Sequence, residues 1–524
     1  MRKLPIGIQS FKNIIEDGYI YVDKTEYIHR LVSTGQSYFL SRPRRFGKSL
    51  FLSTLKAYFE GRRELFKGLR IEELEGNDPD AFAVYPVFYF DFNRKNFQRE
   101  PALEEILIDH LTTWESLYGN EYTNSPIEER FQHLIKMAYE QTGRRCVVLV
   151  DEYDKPLLES LTNESIEEHN KAVFKGFFST LKSYDEYIKF AFLTGVTKFS
   201  KVSIFSDLNQ LRDISMSEDY RSICGITEAE LHCHFMPEAE AMAQSLGISI
   251  DECFNRLKQM YDGYHFTSNS QGVYNPFSLL SAFSERRFSM YWFATGTPTF
   301  LIKKLEATGF DAKKITDGEI YATEAELTDY RADNPDPIPL FYQTGYLTIK
   351  GYDRMFDSYE LGYPNDEVKY GFLNSLAPSY MHNEERDSVL SIAGFGRDII
   401  KGDTDSLRDR FTALFARIPY REGEENDKWV ERDFQNVIYI VFMLLGQFVH
   451  TEQHSSKGRA DCILETADYV YIFEFKRDET AAKALSQITE QGYDKPYAAD
   501  KRTIIRIGAN FNSKERTLDG WEVS

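Results

Sequence analysis

The sequence predicts an α/β protein built from three regions, and three observations support this prediction. Residues 1–200 alternate short apolar strands with amphipathic helices, a pattern typical of a parallel sheet with helices on both faces. Residues 201–385 are mixed, turn-rich and largely helical. Residues 386–524 hold a helix, three strands, a second helix and another strand, with their core at 428–515. A length of 524 residues suits roughly three domains of about 100–200 residues each, so we expect one domain per region. The strands predicted in the first region span 37–40, 87–92, 146–150 and 188–195.

Composition and charge narrow the classes of function. The net charge of −20 argues against non-specific coating of nucleic acid, because contacts with phosphates need positive charge. Residues 1–70 nevertheless contain 14 Lys and Arg against 6 Asp and Glu, so a basic channel stays open. The five cysteines form no CxxC pair, and the sequence has neither an apolar run of about 18 residues nor the apolar core of a signal peptide. These features predict a cytoplasmic protein without membrane association.

The first region contains a candidate phosphate-binding loop between a strand and a helix. The strand SYFL (37–40) precedes SRPRRFGKS (41–49), which opens an amphipathic helix. A P-loop has the pattern GxxxxGK[ST] at such a junction, where main-chain N–H groups surround the phosphates, the lysine reaches the β- and γ-phosphates and the hydroxyl binds Mg²⁺. Arg42 stands where the first glycine is expected, and the alternative is a basic surface loop. The residues predicted to hold the nucleotide are Arg42, Arg44, Arg45, Phe46, Gly47, Lys48 and Ser49.

Two further apolar strands end in polar residues that suit nucleotide chemistry. The strand CVVLV (146–150) leads into Asp151 and Glu152, which is the arrangement of a Walker B motif. We expect Asp151 to contribute to the Mg²⁺ shell and Glu152 to polarise water for attack on the γ-phosphate. The strand IKFAFLTG (188–195) carries Thr194 near its end, where a polar side chain can sense the γ-phosphate. No arginine finger can be named from the sequence, and Arg212 and Arg221 are no more than candidates.

The middle region offers no strong catalytic motif. Helices dominate its first half, and a helix-plus-hairpin unit around 335–375 is open to a winged-helix-like fold. The segment HCHF (232–235) places two histidines beside a cysteine, but adjacent side chains cannot all face one metal ion. The aromatic segments YDGYHF and SMYWFATG suit base stacking, but a place in the core or at an interface accounts for them without it, and we expect them in the core. We expect none of these segments to decide the function.

The third region is the easiest to divide into elements. Its first helix spans 430–446, with apolar residues at helical spacing and Gly446 as the stop. Glu431 lies one turn ahead of Phe434 at the start of this helix, so it can face the sheet. The remaining predicted elements are strands at 447–452, 459–465 and 469–476, a helix at 479–493 and a strand at 502–508.

One face of these strands carries residues suited to metal-dependent chemistry. Side chains two apart on a strand share a face, so Glu474 and Lys476 project together, with Asp461 on the neighbouring strand. Two carboxylates and an ammonium group on paired strands can hold a divalent metal and activate water. The alternative for the triplet alone is a cross-face ion pair at a half-solvated edge. That alternative weakens once the strand order, Glu431 and Gln487 are added.

The third region resembles the PD-(D/E)xK nuclease superfamily over about residues 428–515, which implies an αβββαβ, restriction-endonuclease-like fold. Asp461, Glu474 and Lys476 match the superfamily motif, and Gln487 matches a glutamine of the following helix. The resemblance implies that Asp461 and Glu474 hold Mg²⁺ or Mn²⁺, with Glu431 completing the shell directly or through water. Lys476 would orient the attacking water or stabilise the developing charge. Gly-Arg-Ala precedes Asp461 where the superfamily name implies proline, a position that varies among its members.

The first region resembles the AAA-ATPase-like family, which pairs such a domain with a C-terminal PD-(D/E)xK domain. The resemblance implies a P-loop, AAA-like parallel-sheet domain that binds ATP and Mg²⁺, and nucleic acid, with DNA preferred, as the partner of the nuclease fold. AAA-type sites often need an arginine from a neighbour, so a homo-oligomer is a further expectation. The segments that carry the resemblance are PIGIQSFKNIIEDGYIYVDKTEYI (5–28), RPRRFGKS (42–49), VLVDEYDKPL (148–157) and TGVTKFSKVSIFSDLNQLRDIS (194–215).

Two functions of different classes fit these motifs. In the first, the protein is an ATPase coupled to a nuclease, and ATP binding at residues 1–200 gates metal-dependent cleavage at 431–487. In the second, it is an ATP-dependent switch whose nuclease-like domain binds nucleic acid or protein without cutting. The acidic net charge and the altered P-loop favour the second function. The four motif residues of the third region favour the first, and we expect the first: Glu431, Asp461, Glu474 and Lys476.

Overall fold

The chain divides into two units in the computed structural model. One comprises Met1–Gly296 and Ile320–Glu367, and the other comprises Thr297–Glu319 and Val368–Ser524. The N-terminal sheet and most of the middle region thus share a unit, while domain boundaries at 200 and 385 stay a prediction. The structure describes all residues except 1, 120, 162, 199–209, 269–270, 296–300, 303–304, 306–312, 317, 319, 329–335, 382–391, 417–436, 447–449, 454–459 and 516.

The first unit contains a parallel five-stranded sheet in the order β2-β3-β4-β1-β5. Strands β3 and β4, which both lie inside the sheet, are buried almost throughout because helices cover both faces, as their continuous apolar sequences predict. The carboxyl ends of β1, β3 and β4 therefore meet at one edge, where the motif residues lie. The strands are β1 (Ser37–Ser41), β2 (Val87–Asp91), β3 (Cys146–Asp151), β4 (Ile188–Gly195) and β5 (Arg212–Asp213).

Helices surround this sheet and dominate the residues that follow it. Several begin at a side chain that caps the first turn, among them Thr227, which forms a capping box with Glu230, and Asn275. The described helices around the sheet are Phe11–Glu16, Thr25–Thr34, Lys48–Phe59, Arg70–Leu74, Ala102–Tyr118, Ile127–Thr142, Lys155–Ser160 and Glu164–Ser183. Those that follow are Glu228–Leu246, Ile250–Tyr261, Pro276–Glu285, Tyr291–Ala294, Glu324–Thr328 and Ile338–Thr344. Short 3₁₀ turns occur at Arg63–Phe66, Phe92–Arg94, Asp185–Tyr187, Glu218–Tyr220 and Lys495–Tyr497.

Two small antiparallel sheets complete the first unit. Strands β6 (Ile226–Thr227) and β7 (Val273–Tyr274) pair with each other. Strands β8 (Ile320–Ala322), β9 (Thr348–Asp353) and β10 (Ser358–Gly362) form a sheet in the order β8-β10-β9. Helix Ile338–Thr344 followed by the β9–β10 hairpin is the helix-plus-hairpin unit that the sequence predicts around 335–375.

The second unit contains a mixed five-stranded sheet in chain order. Strands β11, β12 and β13 are antiparallel, β14 runs parallel to β13, and β15 returns antiparallel. The crossover from β13 to β14 is helix Ala481–Gln491. The strands are β11 (His450–Gln453), β12 (Cys462–Glu465), β13 (Tyr469–Arg477), β14 (Thr503–Asn512) and β15 (Thr517–Val523). The other described helices of this unit are Lys313–Thr316, Ile392–Lys401, Thr404–Phe415 and 437–445, and Asp366–Met381 begins at the end of the first unit.

The predicted order of elements in the third region is confirmed for the described residues. Helix 437–445 stops before Gly446, as expected. Phe473 and Phe475 lie on one face of β13 and pack with Phe442 of that helix, with ring centroids 5.0 and 5.9 Å away. Strand β15 was not predicted from the sequence, and the predicted strand at 502–508 ends four residues before β14 does. The α/β class, with a parallel N-terminal sheet, a helical middle and a nuclease-like C-terminal sheet, is confirmed.

The described residues contain no helix long and apolar enough to cross a bilayer. All five cysteines are free, as the absence of a disulfide pattern in the sequence predicts. The two histidines of the HCHF segment, His232 and His234, lie on helix Glu228–Leu246, where Cys233 is exposed. Among the described residues, no group of three or more His, Cys, Asp and Glu side chains is arranged to hold a metal.

A buried carboxylate in the first unit gives a pH-dependent prediction. Burial raises the pKa of Glu367 to about 7, although hydrogen bonds from Ser278 and the main chain of Trp292 oppose this shift. Between about pH 4.5 and 7 the folded state therefore holds a proton that the unfolded state has released, so stability falls as pH rises. We expect Glu367 to cost about 3 kcal/mol across this window.

Denaturant unfolding of the wild type and Glu367→Gln at several pH values tests this expectation. The free energy of unfolding of the wild type, relative to that of the variant, should decrease from pH 5 to pH 7.5. A difference that stays constant or increases over this range contradicts the buried, proton-retaining carboxylate.

Candidate functional site

The loop between β1 and helix Lys48–Phe59 has the shape of an anion-binding loop. Arg45 and Gly47 adopt left-handed backbone conformations, with φ of 65° and 98°. The main-chain N–H groups of residues 44–50 have no hydrogen-bond acceptor within the described part of the chain. Successive N–H groups in such a turn, continued by the open N–H groups of a helix start, form a concave site for phosphate. The loop can therefore donate several main-chain hydrogen bonds to one anion.

Lys48 lies under this loop and is almost fully buried. Its ammonium group donates to the carbonyl oxygens of Arg42 and Pro43, at 3.0 and 3.3 Å. Glu152 Oε1 lies 3.4 Å from the same nitrogen. Lys48 and Glu152 both line the adjoining cavity. The structure thus brings together the predicted phosphate-binding lysine and the predicted water-polarising glutamate.

Asp151 ends β3 beside this pair, within hydrogen-bonding reach of Ser49 and Thr194. Thr194 Oγ1 donates to Asp151 Oδ1 at 2.8 Å. Burial, with a contribution from the charge of Glu152, raises the pKa of Asp151 to about 6. A buried carboxylate beside a hydroxyl is a suitable set of oxygen donors for Mg²⁺, because a cation there offsets the cost of the buried charge. Ser49 and Asp151 therefore fit the predicted metal.

A cavity of about 530 Å³ adjoins the loop, within the range of small-molecule sites. The loop residues Arg44–Ser49 form one wall, and Lys24, Glu152 and Lys155 add charged groups. The rest of the lining is largely apolar and comes from the N-terminal segment and from residues far along the chain. These apolar residues include Ile8, Ile20, Val22, Ile226, Phe277 and Leu280. A ligand with both a polyanionic and an apolar part suits this lining.

Arg42 does not lie where the sequence places it, because its side chain points away from the cavity into the core. Its guanidinium donates to the carbonyl oxygens of Ser41, Ser215 and Tyr220 and stacks over the ring of Phe266 at 3.8 Å. Its main-chain N–H donates to Gly195 O, which continues the β1–β4 pairing. The backbone at 42 is therefore extended and needs no glycine. Arg42 contributes to the site through its carbonyl oxygen, which accepts a hydrogen bond from Lys48.

The other predicted nucleotide residues fall into two groups. Arg44 and Arg45 are exposed and line the cavity, and Phe46 is buried behind the loop. Thr194 is fully buried and reaches the site only through Asp151. The two candidate finger residues are exposed and have no assigned role here: Arg212 and Arg221.

The second candidate site is the carboxylate–lysine cluster of the second unit. Glu474 on β13 is 3% exposed, and its Oε1 accepts hydrogen bonds from Gln487 and, at 3.2 Å, from Lys476. Asp461 stands just before β12, and its Oδ2 accepts from the main-chain N–H of Phe475 at 2.9 Å. The structure thus brings together four of the predicted residues. Glu431 lies outside the described residues.

An ion pair between Glu474 and Lys476 accounts for only one of the two oxygens of the Glu474 carboxylate. The two side chains do pair, but Glu474 Oε2 is buried and has no hydrogen-bond partner among the residues that the structure describes. Burial, followed by the charge of Asp461, raises the pKa of Glu474 to about 7, against the opposing effect of Lys476. An orphaned carboxylate oxygen beside a second carboxylate is costly unless a cation binds. Asp461 and Glu474 therefore fit the predicted Mg²⁺ or Mn²⁺.

Gly508 explains how helix Ala481–Gln491 comes close enough for Gln487 to reach Glu474. Gly508 pairs with Glu474 across the β13–β14 ladder. A Cβ at Gly508 would lie 2.5 Å from the main-chain nitrogen of Leu485, and closer still to Ala481 O. The helix backbone thus rests directly on the strand at this glycine.

Gly508→Ala is expected to push the helix off the sheet, because neither contact atom belongs to a flexible side chain. The free energy of unfolding should fall by about 1–3 kcal/mol, the usual cost of overpacking. Gly176→Ala, in the interior of helix Glu164–Ser183, is the matched control, since its Cβ would meet nothing closer than 3.7 Å. The control should gain up to about 1 kcal/mol. Equal effects in denaturant unfolding would contradict the close approach at Gly508.

Sequence reasoning missed several residues of the nucleotide cavity. Lys155 lines it and donates to Asn93 O at 3.0 Å, and its place four residues after Asp151 was a usable signal. Lys24 also lines the cavity and pairs with Glu230 at 2.6 Å, a contact across 206 residues. No local pattern predicts the second contact, because it depends on how distant segments pack.

Comparisons with known proteins identify the families of both domains. The family model described as predicted AAA-ATPase matches residues 5–205, and that of the PD-(D/E)XK nuclease superfamily matches residues 430–521. A relative described as "Uncharacterized protein in vnfD 5'region", from Azotobacter chroococcum mcd 1, is 38% identical over 529 residues. This match covers 100% of the chain and 99% of the relative. The chain belongs to the predicted AAA-ATPase family. Its C-terminal domain is of the PD-(D/E)XK nuclease superfamily, so the resemblance found in the sequence is confirmed for both regions.

The described residues of the two candidate sites lie within the ranges that the two family models match. The loop at 42–49, Asp151 and Thr194 fall inside the range matched by the ATPase model. Asp461, Glu474, Lys476 and Gln487 fall inside the range matched by the nuclease model. The protein thus combines a nucleotide-binding type of domain with a nuclease-like domain.

Proposed function

We propose that this protein binds and hydrolyses ATP and is a metal-dependent nuclease whose cleavage of nucleic acid is gated by its nucleotide state. The observation that carries the proposal is that one chain holds both a phosphate loop with open main-chain N–H groups and a buried carboxylate oxygen, Glu474 Oε2, that has no hydrogen-bond partner among the described residues. DNA is the first substrate to test. We propose that the protein acts in the cytoplasm. Homo-oligomers are part of the proposal only as a source of an arginine for the ATPase site.

In the ATPase site, the roles follow from the contacts. The N–H groups of residues 44–50 bind the phosphates, and Lys48 turns from the carbonyls of Arg42 and Pro43 toward the β- and γ-phosphates. Glu152 polarises the attacking water, while Ser49 and Asp151 hold Mg²⁺. Thr194 holds Asp151 in place through its hydrogen bond at 2.8 Å. Arg44 and Arg45 supply positive charge at the cavity wall.

In the nuclease site, Asp461 and Glu474 hold the metal, and Glu431 is proposed to complete its shell. The bound metal supplies Lewis acidity and a lowered pKa of water. Lys476 orients the attacking water or stabilises charge that develops on the phosphate. Gln487 fixes the side chain of Glu474 through its hydrogen bond to Oε1. Glu474 must be ionised in this role.

The gating can be tested with Glu152→Gln and Lys48→Ala. The first variant should bind ATP without hydrolysing it, so ATP should hold its cleavage rate at the value of the ATP-bound state. The second should cut DNA at a rate that does not respond to ATP. If cleavage by Lys48→Ala responds to ATP as cleavage by the wild type does, the proposal that ATP gates cleavage is wrong.

A second function keeps support from one observation, the net charge of −20. An acidic chain binds nucleic acid weakly outside a local basic site, which suits an ATP-dependent switch whose nuclease-like domain binds without cutting. Under this function neither the wild type nor Lys476→Ala cuts DNA. The proposals therefore differ in a single assay.

A further inference from the structure

The outer side of the phosphate loop is covered by residues from far along the chain. Trp292 Nε1–H donates to the carbonyl oxygen of Arg44 at 3.0 Å, across 248 residues of sequence. Phe46 packs against Tyr264 with ring centroids 4.7 Å apart. Gly345, with φ of 89°, lies so close to Pro43 that a Cβ there would be 2.6 Å from the proline ring. The loop is thus held from behind by the middle region.

Trp292 is itself fixed in place. Its main-chain N–H donates to Glu367 Oε1 at 2.7 Å, and the other oxygen of this carboxylate accepts from Ser278 Oγ at 2.7 Å. Glu367 and Ser278 are fully buried, and Trp292 is 6% exposed. Its ring lies 5.2 Å from that of Tyr346. The indole N–H therefore points at Arg44 from a rigid base.

The hydrogen bond to Arg44 O sets the direction of the next main-chain N–H. A peptide bond is planar and trans, so its C=O and N–H point in opposite directions. A carbonyl of Arg44 that faces Trp292 turns the N–H of Arg45 to the opposite side, and the residues on either side of that peptide line the cavity. Arg45 N–H has no acceptor among the described residues. The same holds two residues further on, where Gly225 N–H donates to Phe46 O and Gly47 N–H has no acceptor among the described residues.

We infer that Trp292 is a positioning residue for nucleotide binding: its indole N–H holds the Arg44–Arg45 peptide with the N–H toward the phosphates. This inference rests on the proposed ATP site and adds a residue outside the motif segments. Without the indole donor, the left-handed Arg45 can relax and the peptide can rotate, because a non-glycine residue is strained at positive φ. The loss should affect phosphate binding and leave the fold in place.

The test compares the wild type with Trp292→Phe, which removes the donor, and with Trp114→Phe as the matched control. Trp114 packs on Phe88 and Phe90 in the same unit, at 5.1 and 4.9 Å. The dissociation constants of a non-hydrolysable ATP analogue and of inorganic tripolyphosphate are measured by calorimetry, with the melting temperature of each variant. Trp292→Phe should weaken both ligands about tenfold, as expected for one lost hydrogen bond to a loop that binds charge. Trp114→Phe should weaken neither.

A second variant separates the donor from the volume of the ring. Incorporating benzothienylalanine at position 292 replaces the indole N–H with sulfur and keeps the bicyclic shape. It should weaken tripolyphosphate as Trp292→Phe does, and it decides the matter if that variant does not fold. Unchanged affinity for tripolyphosphate in the benzothienyl variant overturns the inference while the proposed ATP site stands. A wild type that binds neither ligand contradicts the proposed ATP site, and the inference falls with it.

Discussion

Lys48→Ala should weaken ATP binding by roughly 10- to 100-fold, the range for a lost charge-assisted hydrogen bond. The ammonium group is nearly buried and is held by two loop carbonyls beside Glu152, so its removal takes away the cation that lies buried directly under the phosphate loop. Calorimetry with a non-hydrolysable analogue measures the change, and thermal unfolding shows whether the fold is kept.

Lys56→Ala is the matched control for this prediction. Lys56 lies on the same helix two turns further on, and its exposed side chain pairs with Glu60 at 3.7 Å. An exposed pair of this kind contributes little to stability, so its removal should change neither ATP affinity nor the melting temperature. Equal ATP affinity in Lys48→Ala and Lys56→Ala would show that Lys48 does not bind the phosphates of ATP.

Glu474→Gln should lower DNA cleavage by at least about 100-fold, the order of loss when a preorganised electrostatic group is removed from a catalytic centre. The same substitution is not expected to lower the free energy of unfolding. Above pH 7 the buried carboxylate is ionised despite its raised pKa, and the neutral amide removes that cost. The variant should therefore be as stable as the wild type at pH 8, or more stable.

This combination separates a metal centre from a structural ion pair. If Glu474 served mainly to pair with Lys476, its replacement would leave the ammonium group without a carboxylate and lower the free energy of unfolding. Glu490→Gln, an exposed change on helix Ala481–Gln491, is the control and should alter neither quantity. Titration with Mn²⁺ should show weaker binding in Glu474→Gln alone.

Local patterns explain why so much of the fold could be predicted. The parallel strands of the first region are continuous apolar runs with turn residues at both ends, and the last part of β13 alternates apolar and polar residues, so that Glu474 and Lys476 share a face. Such periodicity depends only on neighbours in sequence. The strand β15 lacks it, because Thr517–Val523 contains a glycine and charged residues. Its pairing with β14 comes from the sheet it completes.

The contents of the sites were less predictable, since motif spacing reports the backbone position of a residue and not the direction of its side chain. Arg42 has the expected position in the loop, yet its guanidinium bonds to Ser215 and Tyr220 in the core. Trp292 belongs to an aromatic segment that the sequence assigns to the core, and it is buried. Its contact with Arg44 spans 248 residues, so no local pattern could reveal it.

The most direct test is cleavage of covalently closed circular DNA, linear DNA and RNA with Mg²⁺ or Mn²⁺, with and without ATP, by the wild type, Lys476→Ala and Lys483→Ala. Lys483 is an exposed lysine of the neighbouring helix that pairs with Glu479 at 2.7 Å. The account predicts metal-dependent cutting by the wild type and Lys483→Ala, a rate that changes with ATP, and loss of cutting in Lys476→Ala. Equal cutting by Lys476→Ala, or a wild type that cuts neither DNA nor RNA under any of these conditions, would contradict it.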